Sequence, residues 1–89
     1  MLNLVYQHQF QKDVQRSQKR GKDLSKLKQV IQMLAEMQPL PLKYRDHRLL
    51  GEYKGRRECH IEPDWLLIYK LTEIEIVFER LGTHADLFG

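Results

Sequence analysis

The chain has 89 residues, a net charge of +3 and 42% hydrophobic residues, enough for one small domain and too apolar and periodic for a disordered segment. One cysteine, Cys59, excludes an internal disulfide and an all-cysteine zinc site. No run approaches the roughly 20 apolar residues of a membrane span, so a soluble cytoplasmic protein is expected.

Leu2, Leu4 and Tyr6 alternate with Asn3, Val5 and Gln7, the pattern of a short first strand. A helix is expected from about His8 to Lys19, with Phe10 and Val14 on one face and Gly21 as its break. Asp23 suits the N-cap of a second helix, in which Leu24, Leu27, Val30, Ile31, Leu34 and Met37 recur at helical spacing. Met33 and Met37 are placed in that helix's core face. Pro39 and Pro41 end it and open an extended connection to about Arg48. The rest reads as strands: Leu49 to Lys54, then Arg56 to Glu62, then Trp65 to Leu71, then Ile74 to Leu81. Alternation puts Cys59 and Ile61 on one face of the second of these and Glu58, His60 and Glu62 on the other. Pro63-Asp64 and Thr72-Glu73 supply turns, and Thr83 to Gly89 is left as a tail. The expected fold is α+β, residues 1–89 forming a single domain in which two N-terminal helices pack on an antiparallel sheet.

The charge is unevenly spread. From Lys12 to Lys28 there are seven basic residues against Asp13 and Asp23, and a second cluster takes in Lys43, Arg45, Arg48, Lys54, Arg56 and Arg57. Such asymmetry suits an RNA, DNA or acidic protein partner, and equally a solvated helix face.

Chemistry concentrates late in the chain. His47, His60 and His84 lie in strand and loop sequence beside Asp64 and Trp65, whereas His8 begins a helix and reads as surface. Each histidine alone could be a loop or half-buried residue, and Cys59 a small buried hydrophobe. Together they offer groups that move protons near neutral pH, next to arginines that can hold a phosphate. Cleaving RNA asks for little more: a base for the 2′-hydroxyl, an acid for the leaving 5′-oxygen and cations for the phosphate. Trp65 or Phe88 could stack on an unpaired base.

From Asp46-His47, Leu50-Gly51, Tyr53-Lys54-Gly55 and Arg57 through His60-Ile61-Glu62-Pro63-Asp64-Trp65, Glu79-Arg80 and Gly82-Thr83-His84-Ala85 to Leu87-Phe88-Gly89, the chain resembles the RelE/ParE toxin superfamily and its YafQ-like branch. Phe10 to Val14 and Lys26-Leu27 extend the resemblance over nearly the whole chain. It implies a RelE-like microbial ribonuclease-type fold and a ribosome-dependent, metal-independent messenger-RNA endonuclease with no cofactor. It further implies an acidic, DinJ-like antitoxin, which alone would contact operator DNA, with the 70S ribosome and messenger RNA as the other partners. Carried over, His47, His60, Asp64 and His84 match catalytic positions. Trp65 and Phe88 match positions that support cleavage by stacking or by shaping the site. Arg80 is a candidate for the pentavalent phosphate, and Lys54 and Arg57 for RNA backbone contacts.

Two rivals stand beside this reading. A ParE-like inhibitor of gyrase could use the same fold without catalysis, but the histidine set has no purpose there. A metal site could draw on the histidines with Glu62 and Asp64, although their spacing forms no compact ligand motif.

Overall fold

The computed structural model describes residues 2–89. Strand β1 (Asn3–Tyr6) leads into helices α1 (His8–Lys19) and α2 (Leu24–Ala35), followed by β2 (His47–Arg48), β3 (Arg57–Glu62), β4 (Trp65–Leu71), β5 (Glu75–Gly82) and α3 (His84–Phe88). The five strands form one sheet in the order β1-β5-β4-β3-β2. This is the expected α+β architecture, with one refinement: β1 runs parallel to β5, while the other pairings are antiparallel. The parallel pair is possible because the intervening chain crosses over through both helices.

Helices α1 and α2 cover one face of the sheet. Phe10, Leu27, Val30 and Leu34 from the helices meet Cys59, Ile61, Trp65, Leu67, Tyr69, Ile76, Phe78 and Leu81 from the strands in a single apolar cluster. Asp23 caps α2 as expected, its carboxylate accepting from the Ser25 amide at 3.0 Å. Both helices end alike. The residue after the cap turns left-handed, Gly21 at φ +82° and Met37 at φ +58°. The following amide then bonds back to the last turn, Lys22 to the Ser17 carbonyl and Gln38 to that of Met33, both within 3.1 Å. Met37 therefore leaves the helix before it can join the core, and it is 65% exposed, contrary to expectation. Met33 does pack against the core.

The sequence reading goes astray at three further places, each for a local reason. Leu49 to Lys54 is not a strand: Gly51, at φ +69°, starts a 3₁₀ turn over Gly51–Tyr53, and the edge strand forms earlier, at His47–Arg48. The register of β3 against β4 shifts between His60 and Glu62, and Glu62 pairs with Lys22 and Lys26 of the helical layer at 2.8 and 2.9 Å. Glu62 thus does not share a face with His60. The tail is helix α3, started by a capping box in which Thr83 accepts from the Asp86 amide and Asp86 from the Thr83 amide.

The second face of the sheet carries only a thin apolar patch. Leu66, Ile68 and Leu87 are buried there, with Leu49 and Tyr53 against them. Around this patch lie the groups of the site.

Candidate active site

Strand register places the site. His60 stands opposite Leu66, which stands opposite Gly82, so the end of β3 and the start of α3 meet across β4. Edge strand β2 brings His47 opposite Glu58. His47 and His60 have ring centroids 6.1 Å apart, and His60 and His84 5.7 Å apart. Asp64, in the turn after β3, reaches the first residue of α3. Its Oδ1 accepts both the His84 backbone amide, at 2.8 Å, and His84 Nδ1, at 2.6 Å. The four residues expected to move protons converge at one end of the open face.

They fall into two units. In the first, Asp64 holds His84 by Nδ1, which leaves the lone pair on Nε2 and directs it away from the carboxylate. Bonds from the His84 amide and then its side chain hold the Asp64 carboxyl below the usual carboxylate range. Both side chains are open to solvent, 55% and 63% exposed. In the second, Glu58 lies between the other two histidines. His60 Nε2 donates to Glu58 Oε1 at 3.1 Å, and His47 Nε2 lies 3.5 Å from the same oxygen. His47 Nδ1 donates to the Arg45 carbonyl at 2.6 Å. Both groups facing His47 are oxygen acceptors, one toward each ring nitrogen. No motif in the sequence marks Glu58. The signal was its place two residues before His60, on the same strand face.

Glu58 is 4% exposed, and its Oε2 and His60 Nδ1 are buried without a protein partner. His47, Glu58 and His60 offer ligand atoms within 4.8 Å of one another, a compact group that could hold a metal and that spacing alone did not reveal. Its members are also the groups that would exchange protons, so an ion bound there would take them out of acid–base use. Cys59 lies on the opposite face of β3, where burial pushes its thiol far up and keeps it protonated.

The remaining expected residues divide. Phe88 is 46% exposed and lies 6.4 Å from the His84 ring, free to stack. Trp65 is 1% exposed, with its indole N–H on Ser17 Oγ at 3.1 Å. It cannot stack on a base and contributes by anchoring the start of β4. Arg80 is gripped by Asp13, a fully buried carboxylate of α1 whose Oδ2 takes Arg80 Nε at 2.8 Å and the Leu81 amide at 3.0 Å. Strand β1 stops opposite Phe78, so Asp13 occupies the edge of β5 that has no further strand. Arg57 is paired with Asp46, which also accepts the Tyr69 hydroxyl, and so pins the first residue of β3. Lys54 is exposed in the turn before β3. Arg57 stands opposite Tyr69 on the covered face, not on the face of His60, so it is not placed for the RNA contact expected of it, and Lys54 precedes His60 by six residues.

Gly82 sets the approach of α3. A Cβ there would lie 2.9 Å from both Cβ and Oδ2 of Asp86. Arg20 grips that carboxylate at 2.6 Å and holds it well below the usual range, tying α3 back to α1.

Known proteins share this fold over the whole chain. A family model described as a bacterial toxin of type II toxin–antitoxin systems, YafQ, matches residues 2–89. The mRNA interferase toxin YafQ of Escherichia coli strain K12 is 52% identical over 88 residues, covering 98% of this chain and 96% of that protein. The crystal structure of YafQ from E. coli BL21(DE3) superposes with a TM-score of 0.96 at 50% identity over the full length of both chains. The toxin in the crystal structure of the E. coli DinJ–YafQ complex gives 0.92 at 52% identity, covering 99% of this chain and 98% of that one. The chain belongs to the YafQ family of bacterial type II toxin–antitoxin toxins.

Proposed function

We propose that this toxin acts as a single domain, residues 1–89, that cuts messenger RNA on the ribosome by metal-independent acid–base catalysis. The observation that carries the reading is the pairing of two proton-handling units on one open face, Asp64–His84 and Glu58–His60–His47. His84, with Nδ1 engaged and Nε2 free, takes the proton from a 2′-hydroxyl. The 2′-oxygen attacks the adjacent phosphorus, and the bond to the 5′-oxygen breaks. The Glu58-linked pair gives a proton to that oxygen through its exposed member, His47, with His60 holding the shared carboxylate from the buried side. The products are a 2′,3′-cyclic phosphate and a 5′-hydroxyl. Each well-placed acid or base contributes about 10²- to 10⁴-fold. Arg80 offsets charge on the pentavalent phosphate, and Phe88 stacks on a neighbouring base. Lys54 extends the cationic surface along the RNA backbone. The ribosome's part is to bend the message into the in-line geometry that this shallow face cannot impose alone.

The partner is a DinJ-like antitoxin with an acidic segment that covers the basic surface, and operator DNA is contacted only through it. The toxin works in the cytoplasm, and no helix among the described residues is long and apolar enough to cross a membrane. The test is an in-vitro translation reaction in which message 5′-ends are mapped with and without EDTA. New ends only on translated messages, unchanged by EDTA, are expected. Intact messages with accumulating DNA double-strand breaks in expressing cells would replace this reading with gyrase inhibition.

A further inference from the structure

His60 faces two ways. On one side lie His84 and Phe88. On the other, His60 forms part of the wall of a pocket of about 420 Å³ between α2 and the 3₁₀ turn Leu42–Tyr44. Lys26, Lys43 and Arg45 also line this pocket, with Glu62 as its carboxylate. Glu62 is already neutralised by Lys22 and Lys26. Lys43 and Arg45 are exposed and have no carboxylate partner among the described residues. Arg45 is also held in place. It sits at φ +48°, a conformation uncommon outside glycine. Its amide bonds the Leu42 carbonyl at 3.0 Å, and its carbonyl takes the hydrogen of His47 Nδ1 at 2.6 Å. One residue thus links the pocket wall to the proton-handling histidines.

A strand of RNA crossing the site has a phosphate on either side of the one being cut. The Phe88 side offers an aromatic ring, and the opposite side offers, in a recess of small-molecule size, two cations without a carboxylate partner among the described residues, Lys43 resting over the Tyr44 ring at 5.1 Å. We propose that this pocket is a second RNA subsite, in which Lys43 and Arg45 hold a phosphate next to the scissile one and set the strand's register against His60. The proposal rests on the ribonuclease reading above.

The test uses the double variant Lys43→Ala, Arg45→Asn, asparagine being chosen because it tolerates the left-handed backbone. Single-stranded RNA carrying a 2′-deoxy block at the cut position is titrated by anisotropy across a salt series, and 70S ribosomes are pelleted in parallel. Far-UV circular dichroism checks the fold, and Lys43→Ala alone serves if the double variant fails to fold. The expected result is RNA binding weakened about tenfold, with a salt slope shallower by about 0.7 for each phosphate no longer neutralised. In cleavage, KM rises while kcat holds. Weaker ribosome pelleting with unchanged oligonucleotide binding overturns the subsite and gives the two cations to ribosomal RNA instead. Unchanged affinity for both RNAs overturns the proposal, and a loss confined to antitoxin affinity overturns it in favour of the acidic segment. Wild-type protein run alongside separates the two levels. If it fails to cut translated message, the ribonuclease reading falls, whereas normal cutting by both proteins with unchanged KM removes only the subsite.

Discussion

On the helix-covered face of the sheet, Trp65, Leu67, Ile76 and Phe78 are at most 1% exposed and join one apolar cluster with Phe10 and Val30. On the open face the buried apolar cluster among the described residues is only Leu66, Ile68 and Leu87, and beside it lie the buried Glu58 and three histidines. The first face has the burial that stabilises a small fold. The second leaves polar groups bridged by single hydrogen bonds, an arrangement that tolerates proton exchange. Damage to one face should therefore act through folding, and damage to the other through activity at unchanged stability.

The largest effect belongs to the covered face. Phe78 is fully buried and lies within 5.6 Å of the Phe10 and Tyr6 rings. Phe78→Ala is expected to cost about 3–5 kcal/mol, most of what a domain of this size possesses, and chemical denaturation would measure it. A Phe78→Ala protein of wild-type stability would mean that the core lies elsewhere. His84→Ala should do the reverse, lowering cleavage about 10²- to 10⁴-fold with little change in Tm, because its side chain is half exposed. Glu58→Gln falls between. It keeps the shape but loses the carboxylate that orients His60 and His47, so the pH–rate profile should move, and a shift in Tm alone would reduce Glu58 to a packing role.

Gly82→Ala tests the seam between the faces. The added methyl meets Asp86, so α3 must shift and carry His84 with it. Cleavage should fall more than Tm does, and equal losses in both would mean that the methyl disturbs the fold and not the placement of His84. The smallest effects are at the helix ends. Acid should destabilise the fold through Asp86. Its carboxyl is held low in the native state, so its contribution is present above the unfolded value of about 3.9 and is lost as pH falls through the lower native value. Tm should hold from neutrality to about pH 5 and drop below about pH 4, less steeply in Asp86→Asn. Met37→Gly relieves the left-handed methionine and should add up to about 1 kcal/mol.

The same contrast governs how much could be read without coordinates. The covered face was legible because burial writes a period: α1, α2 and β4 fall where the spacing of apolar residues puts them. The Asp64–His84 and His60 positions were legible because of the motifs around them. What escaped depends on tertiary contact. Trp65 looks like a stacking residue until α1 covers it and Ser17 takes its N–H. Glu62 appears to face the site until a shifted register hands it to two lysines. Arg57 looks like an open-face cation until Asp46 and Tyr69 show it on the covered face, and Arg80 proves to be held in place by Asp13 through Nε. Helix α3 could have been found from Thr83 and Asp86, a capping pair three residues apart.

The most direct measurement is the pH–rate profile of message cleavage on the ribosome, under single-turnover conditions with EDTA, for the wild type and His84→Ala. The wild type is expected to give a bell, with one limb for the base and one for the acid. His84→Ala should be slower by at least about a hundredfold and should lose the limb that rises with pH, while its circular dichroism stays unchanged. An unaltered rate and profile in His84→Ala would contradict the assignment of the open face to acid–base chemistry.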